Sequence, residues 1–308
     1  AVFLDEISVR DEQGMRKLPI SSSPEINDNS IHAWFTQTTN FDLAFIHWNF
    51  EKAAELALEL NLNDEAAKWA SIADEWPGFA LDDQGGLAFA PNYPYAQSHR
   101  HFSHLMAWHP LGVIDWANGE EDQQIIKATL GTLKEVGPDY WTGYSYSWQA
   151  NLYARAFEGE KAAEALRIFA ACFCLKNSFH VNGDQCQAGH SKMTYRPFTL
   201  EGNFAFASAV QEMLIQSHSG VVKLFPAIPS DWQDVSFNTL RTYGAFLVSA
   251  SMENGEVTKV EIVSEKGGEL ILENPFGDAE FSSAKEFLKD GQLIRLNFAE
   301  GEKAVLNR

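Results

Sequence analysis

At Ser219-Gly220 the hydrophobic period of the chain changes, and this change limits the fold more than any other feature. Before it, apolar residues recur three and four apart, as a helix with one buried face requires. After it they alternate, as a strand with one buried face requires. FDLAFIHWNFEKAAELALEL, read with Asn40 as a helix over 40–60, is the clearest helical stretch. A second runs from Asp64, which fits an N-cap, to Trp76, where Pro77-Gly78 stops it. Further helical stretches are expected near 102–117, 121–136, 146–157, 160–175 and 203–217, and the first 38 residues read as irregular. Beyond residue 220, VVKLFPAIP, SFNTLRT, AFLVSASM, VTKVEIVSE and GELILEN read as short strands divided by turns such as Glu253-Asn254-Gly255. The expected organisation is a mostly α-helical part, 1–219, followed by an antiparallel β-sandwich, 220–308.

Short links at 60–64 and 157–160 join helices in pairs, and long loops at 78–98, 137–145 and 177–199 separate them. That alternation predicts an (α/α)6-type toroid, with long loops gathered where binding residues usually sit. The seven helical stretches are too few to close such a ring, so the toroid is read as incomplete. Ala1-Val2-Phe3-Leu4-Asp5 has neither an initiator Met nor a signal-peptide layout and reads as a cut end of a longer polypeptide.

The formal net charge is −19, from 42 Asp and Glu against 23 Lys and Arg. Such a surface repels polyanions, which argues against nucleic acid and anionic membranes as partners and leaves neutral ligands such as sugars. No apolar run is long enough to cross a bilayer. Cys172, Cys174 and Cys186 are too few and too clustered for a disulfide framework, and Cys172-Phe173-Cys174 in a helical pattern reads as core packing rather than a metal site. No metal or other cofactor is expected.

Polar and aromatic residues concentrate in SSSPEIND (21–28), SHRHFSHLMAWHP (98–110), WTGYSYSWQANLYARAFEGEKA (141–162) and RPFTLEGNFAFASAVQEML (196–214). Hydrolysis of a glycoside needs two carboxyl groups facing across the substrate, one protonated with a raised pKa and one ionised. Glu25 and Glu201, each on a loop and beside Pro24 or Gly202, are the candidates. The ordinary alternative is that a Glu before a helix serves the helix dipole. His99-Arg100-His101 supplies donors for sugar hydroxyls, while the same imidazoles could equally be structural. Trp34 and Trp141 are candidate stacking platforms.

These blocks resemble glycoside hydrolase family 95, whose members include α-L-fucosidases and α-L-galactosidases. SHRHFSHLMAWHP is similar to the family's HRHxSHLxxLxP block, and SSSPEIND is similar to its SPEN segment. TGYSYSWQANLYARAFEGEKA resembles GWSxAWxxNLWARLxDGxxA, and PFTLEGNFAFASAVQEML resembles PFQIDGNFGGTAGIAEML, in the same order along the chain. The resemblance implies an inverting exo-glycosidase with Glu25 as general acid and Arg100 and His101 as substrate-binding residues. Glu201 falls on the family's Asp, which positions water together with two Asn residues that would precede Ala1; Asn203 falls in the same block and is taken as substrate-binding. The implied partners are an oligosaccharide or polysaccharide and the upstream part of the same polypeptide, and the implied setting is secreted or periplasmic.

The chain departs from the family at Glu201, where one added methylene moves the carboxylate, and at Phe206, where the family has a small residue. A misplacement of about 1 Å can cost on the order of a hundredfold in rate. Three readings therefore stand: an active glycosidase, a catalytically inactive sugar-binding homologue, and a toroid enzyme of another kind, such as a different glycosidase or a polysaccharide lyase.

Overall fold

The computed structural model describes residues 1–308. Its seven α-helices are α1 (Val2–Ile7), α2 (Asn40–Glu59), α3 (Asn63–Ala73), α4 (Glu120–Val136), α5 (Gly143–Arg155), α6 (Gly159–Cys172) and α7 (Glu201–Leu214). The chain divides into two compact units, one of Ala1–Ser145 with Cys172–Phe198, the other of Tyr146–Ala171 with Thr199–Arg308.

In the first unit, α2 begins where the Thr39 side chain accepts the Asp42 N–H. Its inward stripe of Leu43, Ile46 and Phe50 meets Trp69 and Ile72 of α3 and Trp76 beyond it. Each such side chain contributes about 1.5–3 kcal/mol when buried, so this helical hairpin is held by its own core. α4 opens with Glu120, Glu121 and Asp122 at the positive end of its dipole and stops at Gly137, whose φ of 76° suits a residue without Cβ.

Two expectations fail here. Residues 102–117 form no α-helix, only single 3₁₀ turns at Ser103–Leu105 and Trp116–Asn118. Pro110 has no N–H to donate, and Gly112 sits at φ 67°, so a helix could not run through. Phe102, Leu105 and Trp108 are nonetheless fully buried, so their helix-like spacing reflects an irregular segment pressed into the core. The first 38 residues are also less irregular than expected. They hold α1 and a small pairing of Val9–Arg10 with Arg16–Lys17, which Arg16 ties down through Asp5 and Glu75.

In the second unit, α5, α6 and α7 approach closely over small residues: Ala150, Ala154, Ala162, Ala163, Ala165 and Ala209 are all nearly or fully buried. Gly159 at the start of α6 is required, because a Cβ there would lie 2.6 Å from the Ala227 carbonyl oxygen. Arg155, almost completely buried, is neutralised by Glu212 of α7 at 2.9 Å.

The strands that follow are β1 (Val235–Thr242), β2 (Phe246–Glu253), β3 (Glu256–Ser264), β4 (Gly268–Glu273), β5 (Ser282–Ser283), β6 (Leu288–Asp290), β7 (Leu293–Phe298) and β8 (Lys303–Asn307). They form one antiparallel sheet in the order β5-β8-β3-β2-β1 and another in the order β4-β7-β6. Burial alternates strictly along β2. Val248, Val260, Ile262 and Leu306 of the first sheet share one apolar cluster with Leu270, Leu272, Ile294 and Leu296 of the second. The period-two pattern is thus the direct imprint of this core. No helix is long and apolar enough to cross a membrane.

Candidate active site

Glu25 sits on a loop that the start of α2 holds in place. Ser21 and Ser22 pair antiparallel with Phe35 and Trp34. The Ser21 hydroxyl accepts the Thr39 N–H at 2.9 Å and donates to Asp42 at 2.5 Å, and the Thr39 hydroxyl donates to the Ser22 carbonyl at 2.9 Å. Buried Ser23 then meets Ser103 at 2.6 Å, which fastens the loop to the segment carrying Arg100 and His101.

Past Pro24 the backbone enters the left-handed region. Glu25 has φ 62°, and Asn27, Asp28 and Asn29 have φ 48°, 51° and 55°. Asn and Asp tolerate that region, but a Glu there costs roughly 1–2 kcal/mol. Such strain persists only where the surroundings over-determine it, and it gathers at functional sites. Here the Glu25 N–H donates to Asn29 Oδ1 at 3.0 Å.

The strained residue presents its carboxylate to two donors. Arg100 Nη2 lies 2.6 Å and His101 Nε2 2.8 Å from Glu25 Oε2. Burial raises the Glu25 carboxyl, but the charges of His101 and Arg100 and the hydrogen bonds from both outweigh it and hold the group below its usual value. For His101, burial comes first and lowers the imidazole; Arg100 and His99 add to this, and Glu25 opposes it. A lowered imidazole is largely neutral at neutral pH, so Arg100 is the lasting cation on Glu25. The sign is opposite to the raised acid expected from the sequence, because Arg100 and His101 both donate to the carboxylate.

Three further residues fix this arrangement. The Tyr95 hydroxyl accepts the His99 N–H at 3.0 Å and the Trp141 indole N–H at 3.1 Å, and donates to the His99 carbonyl at 3.2 Å. The Ser145 hydroxyl donates to the Arg100 carbonyl at 2.7 Å. His104, fully buried and stacked on Tyr95, is pushed down to about 3 by burial and so stays neutral. Tyr95 had no sequence signal, whereas His99 and Ser145 stood inside blocks already noted for their polar density.

The other expected residues fare differently. Trp34 is 50% exposed. Trp141 is 3% exposed with its ring edge-on to Phe102, so it packs the core beneath Tyr95 and is no stacking platform. Arg100 and His101 join Glu25 in the first unit, whereas Glu201 and Asn203 occupy the first turn of α7 in the second, Glu201 exposed and Asn203 half-buried.

The cysteine reading is corrected. Cys172 and Cys186 form a disulfide with Cα atoms 5.0 Å apart, and Cys174 alone is a free thiol. A turn at 175–179, with Ser178 at φ 67°, brings the chain back until Val181 donates to the Phe173 carbonyl and Gln185 to that of Cys172. Closing a loop of this length is worth about 3 kcal/mol. Asp184, whose carboxylate lies within 4.8 Å of both sulfurs, accepts backbone N–H groups from Cys186, Gln187, Ala188 and His190.

The profile of the glycosyl hydrolase family 95 catalytic domain matches residues 1–214, and that of the family's C-terminal domain matches residues 216–303. The chain belongs to glycosyl hydrolase family 95. Among curated relatives, alpha-L-fucosidase 2 of Arabidopsis thaliana is 32% identical over 63% of this chain and 23% of its own length. Probable alpha-fucosidase A of Aspergillus oryzae is 28% identical over 73% of this chain and 35% of its own. Its namesake in Aspergillus niger is 28% identical over 52% and 21%. The chain therefore spans between about a fifth and about a third of the length of these relatives.

Proposed function

We propose that this chain carries the acid side of an inverting exo-glycosidase site that removes a terminal α-L-fucose, or the related α-L-galactose, from an oligosaccharide or polysaccharide. The observation that carries the reading is Glu25, held in a strained loop with Arg100 and His101 both on its carboxylate. In this reading Glu25 protonates the leaving oxygen and Glu201 positions the attacking water from the opposite face. Arg100, His101, Asn203 and the exposed Trp34 hold the sugar, and upstream residues of the same polypeptide complete the site. The helical part, 1–219, is a portion of an (α/α) toroid, and 220–308 is a β-sandwich whose two sheets share one core. A disulfide persists in oxidising compartments, which supports a secreted or periplasmic setting.

The ion pair gives this mechanism a trigger. A sugar hydroxyl that binds Arg100 and His101 competes with Glu25 for the same donors. As they leave the carboxylate, burial acts on it with less opposition, its pKa rises, and it becomes a proton donor when substrate is present.

The same ion pair also favours a second reading, an inactive sugar-binding homologue whose Glu25 never gains a proton; the exposed Glu201, where the family has Asp, points the same way. Hydrolysis of α-L-fucosyl and α-L-galactosyl oligosaccharides by the full-length polypeptide, followed by NMR, separates the two. Inversion releases the β-anomer first. An α-anomer as first product would sink the inverting mechanism, and sugar binding without release would establish the inactive homologue.

A further inference from the structure

His99, one of three neighbouring residues whose donors could serve a sugar, has no part in the site proposed above, yet its ring reaches both halves of the acid site. The His101 N–H donates to His99 Nδ1 at 3.1 Å. Nδ1 also lies 3.2 Å from the His101 carbonyl oxygen, but a proton on Nδ1 would satisfy that contact alone. A proton on Nε2, which lies 3.2 Å from the Glu25 carbonyl oxygen, leaves Nδ1 as acceptor and satisfies two contacts. A carbonyl oxygen cannot donate, so the tautomer that satisfies one contact satisfies the other.

The position of that carbonyl matters because of the backbone that carries it. Glu25 holds φ 62° and ψ 3°, a left-handed geometry that a Glu does not adopt unaided. Its N–H is held by Asn29 and its side chain by Arg100 and His101. The carbonyl, whose direction ψ sets, is held by His99. His99 is itself immobilised, since both its N–H and its carbonyl bond to the hydroxyl of buried Tyr95.

We propose that His99 is the positioning residue of the acid loop, one imidazole that locks the Glu25 peptide with Nε2–H and the His101 peptide with Nδ1. It thereby fixes the distance between the acid and the donor that shares its sugar. This rests on the glycosidase reading of Glu25, and it assigns His99 no contact with substrate.

Asparagine and glutamine divide the two functions of the ring. The Asn side chain reaches only the place of Nδ1, and the Gln side chain places an amide N–H near that of Nε2. In the full-length polypeptide, H99N should lower kcat on a fucosyl oligosaccharide roughly 10- to 100-fold, the scale of a misplacement of about 1 Å. KM should change little, and α-L-fucosyl fluoride, whose leaving group needs no proton, should be turned over at nearly the parent rate. H99Q should recover most of the lost kcat. Equal loss in the two variants, or equal loss on the two substrates, would show that His99 only packs.

Backbone chemical shifts of Glu25 and of residues 27–29 provide a readout independent of turnover. They should leave the left-handed range in H99N and stay within it in H99Q. Unchanged shifts in H99N would overturn the positioning role whatever the rates. Altered shifts in H99N, together with a parent protein that hydrolyses nothing, would overturn only the glycosidase reading.

Discussion

Along β2 every second residue is buried, and the same face of each neighbouring strand feeds the same apolar cluster. Along residues 21–29 no such rule holds. Four of the last five residues of that loop are left-handed, and the groups that fix it are hydroxyls, amides and an imidazole from distant positions. In the sheets, stability comes from area, and any side chain of the right size serves nearly as well. In the loop, strain is held by specific polar partners so that one carboxylate meets two donors. The first region is built to be stable, the second to be in a particular place, and each should respond to substitution accordingly.

The largest stability effect belongs to the sheets. Ile294→Ala removes a fully buried side chain and should cost about 2–5 kcal/mol in denaturant unfolding, while the Glu25 titration stays where it was. A loss below about 1 kcal/mol would mean that the cluster is not the close-packed core described.

This contrast also explains what could be read in advance. The helices α2 to α7 and the strands from 235 to 273 were legible because burial writes a period into the sequence. Residues 102–117 misled for the same reason, since Phe102, Leu105 and Trp108 are buried at helical spacing without a helix. The resemblance of their blocks pointed to Glu25, Arg100 and His101 together, and the structure brings their side chains into contact; the sign of the Glu25 shift was not legible, because it depends on distances that no spacing records. Trp141 reads identically whether it stacks on a sugar or packs under Tyr95. The Cys172–Cys186 bond depends on a loop that doubles back, which three clustered cysteines do not announce.

An intermediate effect is expected at the ion pair. Arg100→Met removes the lasting cation from Glu25, so its carboxyl should titrate at higher pH, as read by carbon NMR. In the parent, the lowered carboxyl makes the pair stabilising above the unfolded value, and that stability is lost as pH falls through the lower folded value. The variant should lose less stability over that same acidic window. An unchanged Glu25 midpoint would mean that the pair does not form in solution.

The smallest effect is expected within the loop. Asp28 is exposed at φ 51°, so Asp28→Gly should be neutral or stabilise by up to about 1 kcal/mol, because Gly enters the left-handed region without a Cβ penalty. A clear loss of stability would show that the Asp28 side chain holds the loop and that the strain is relieved locally.

The central claim is that the strained loop exists to place Glu25 as a proton donor. Glu25→Gln in the full-length polypeptide tests it most directly, with kcat measured on a fucosyl oligosaccharide and on an activated aryl fucoside. The oligosaccharide rate should fall by about 10²–10⁴, the usual worth of general acid catalysis. The aryl fucoside, whose leaving group hardly needs a proton, should lose far less. Equal loss on both substrates, or no loss on either, would contradict the assignment of Glu25 as the acid.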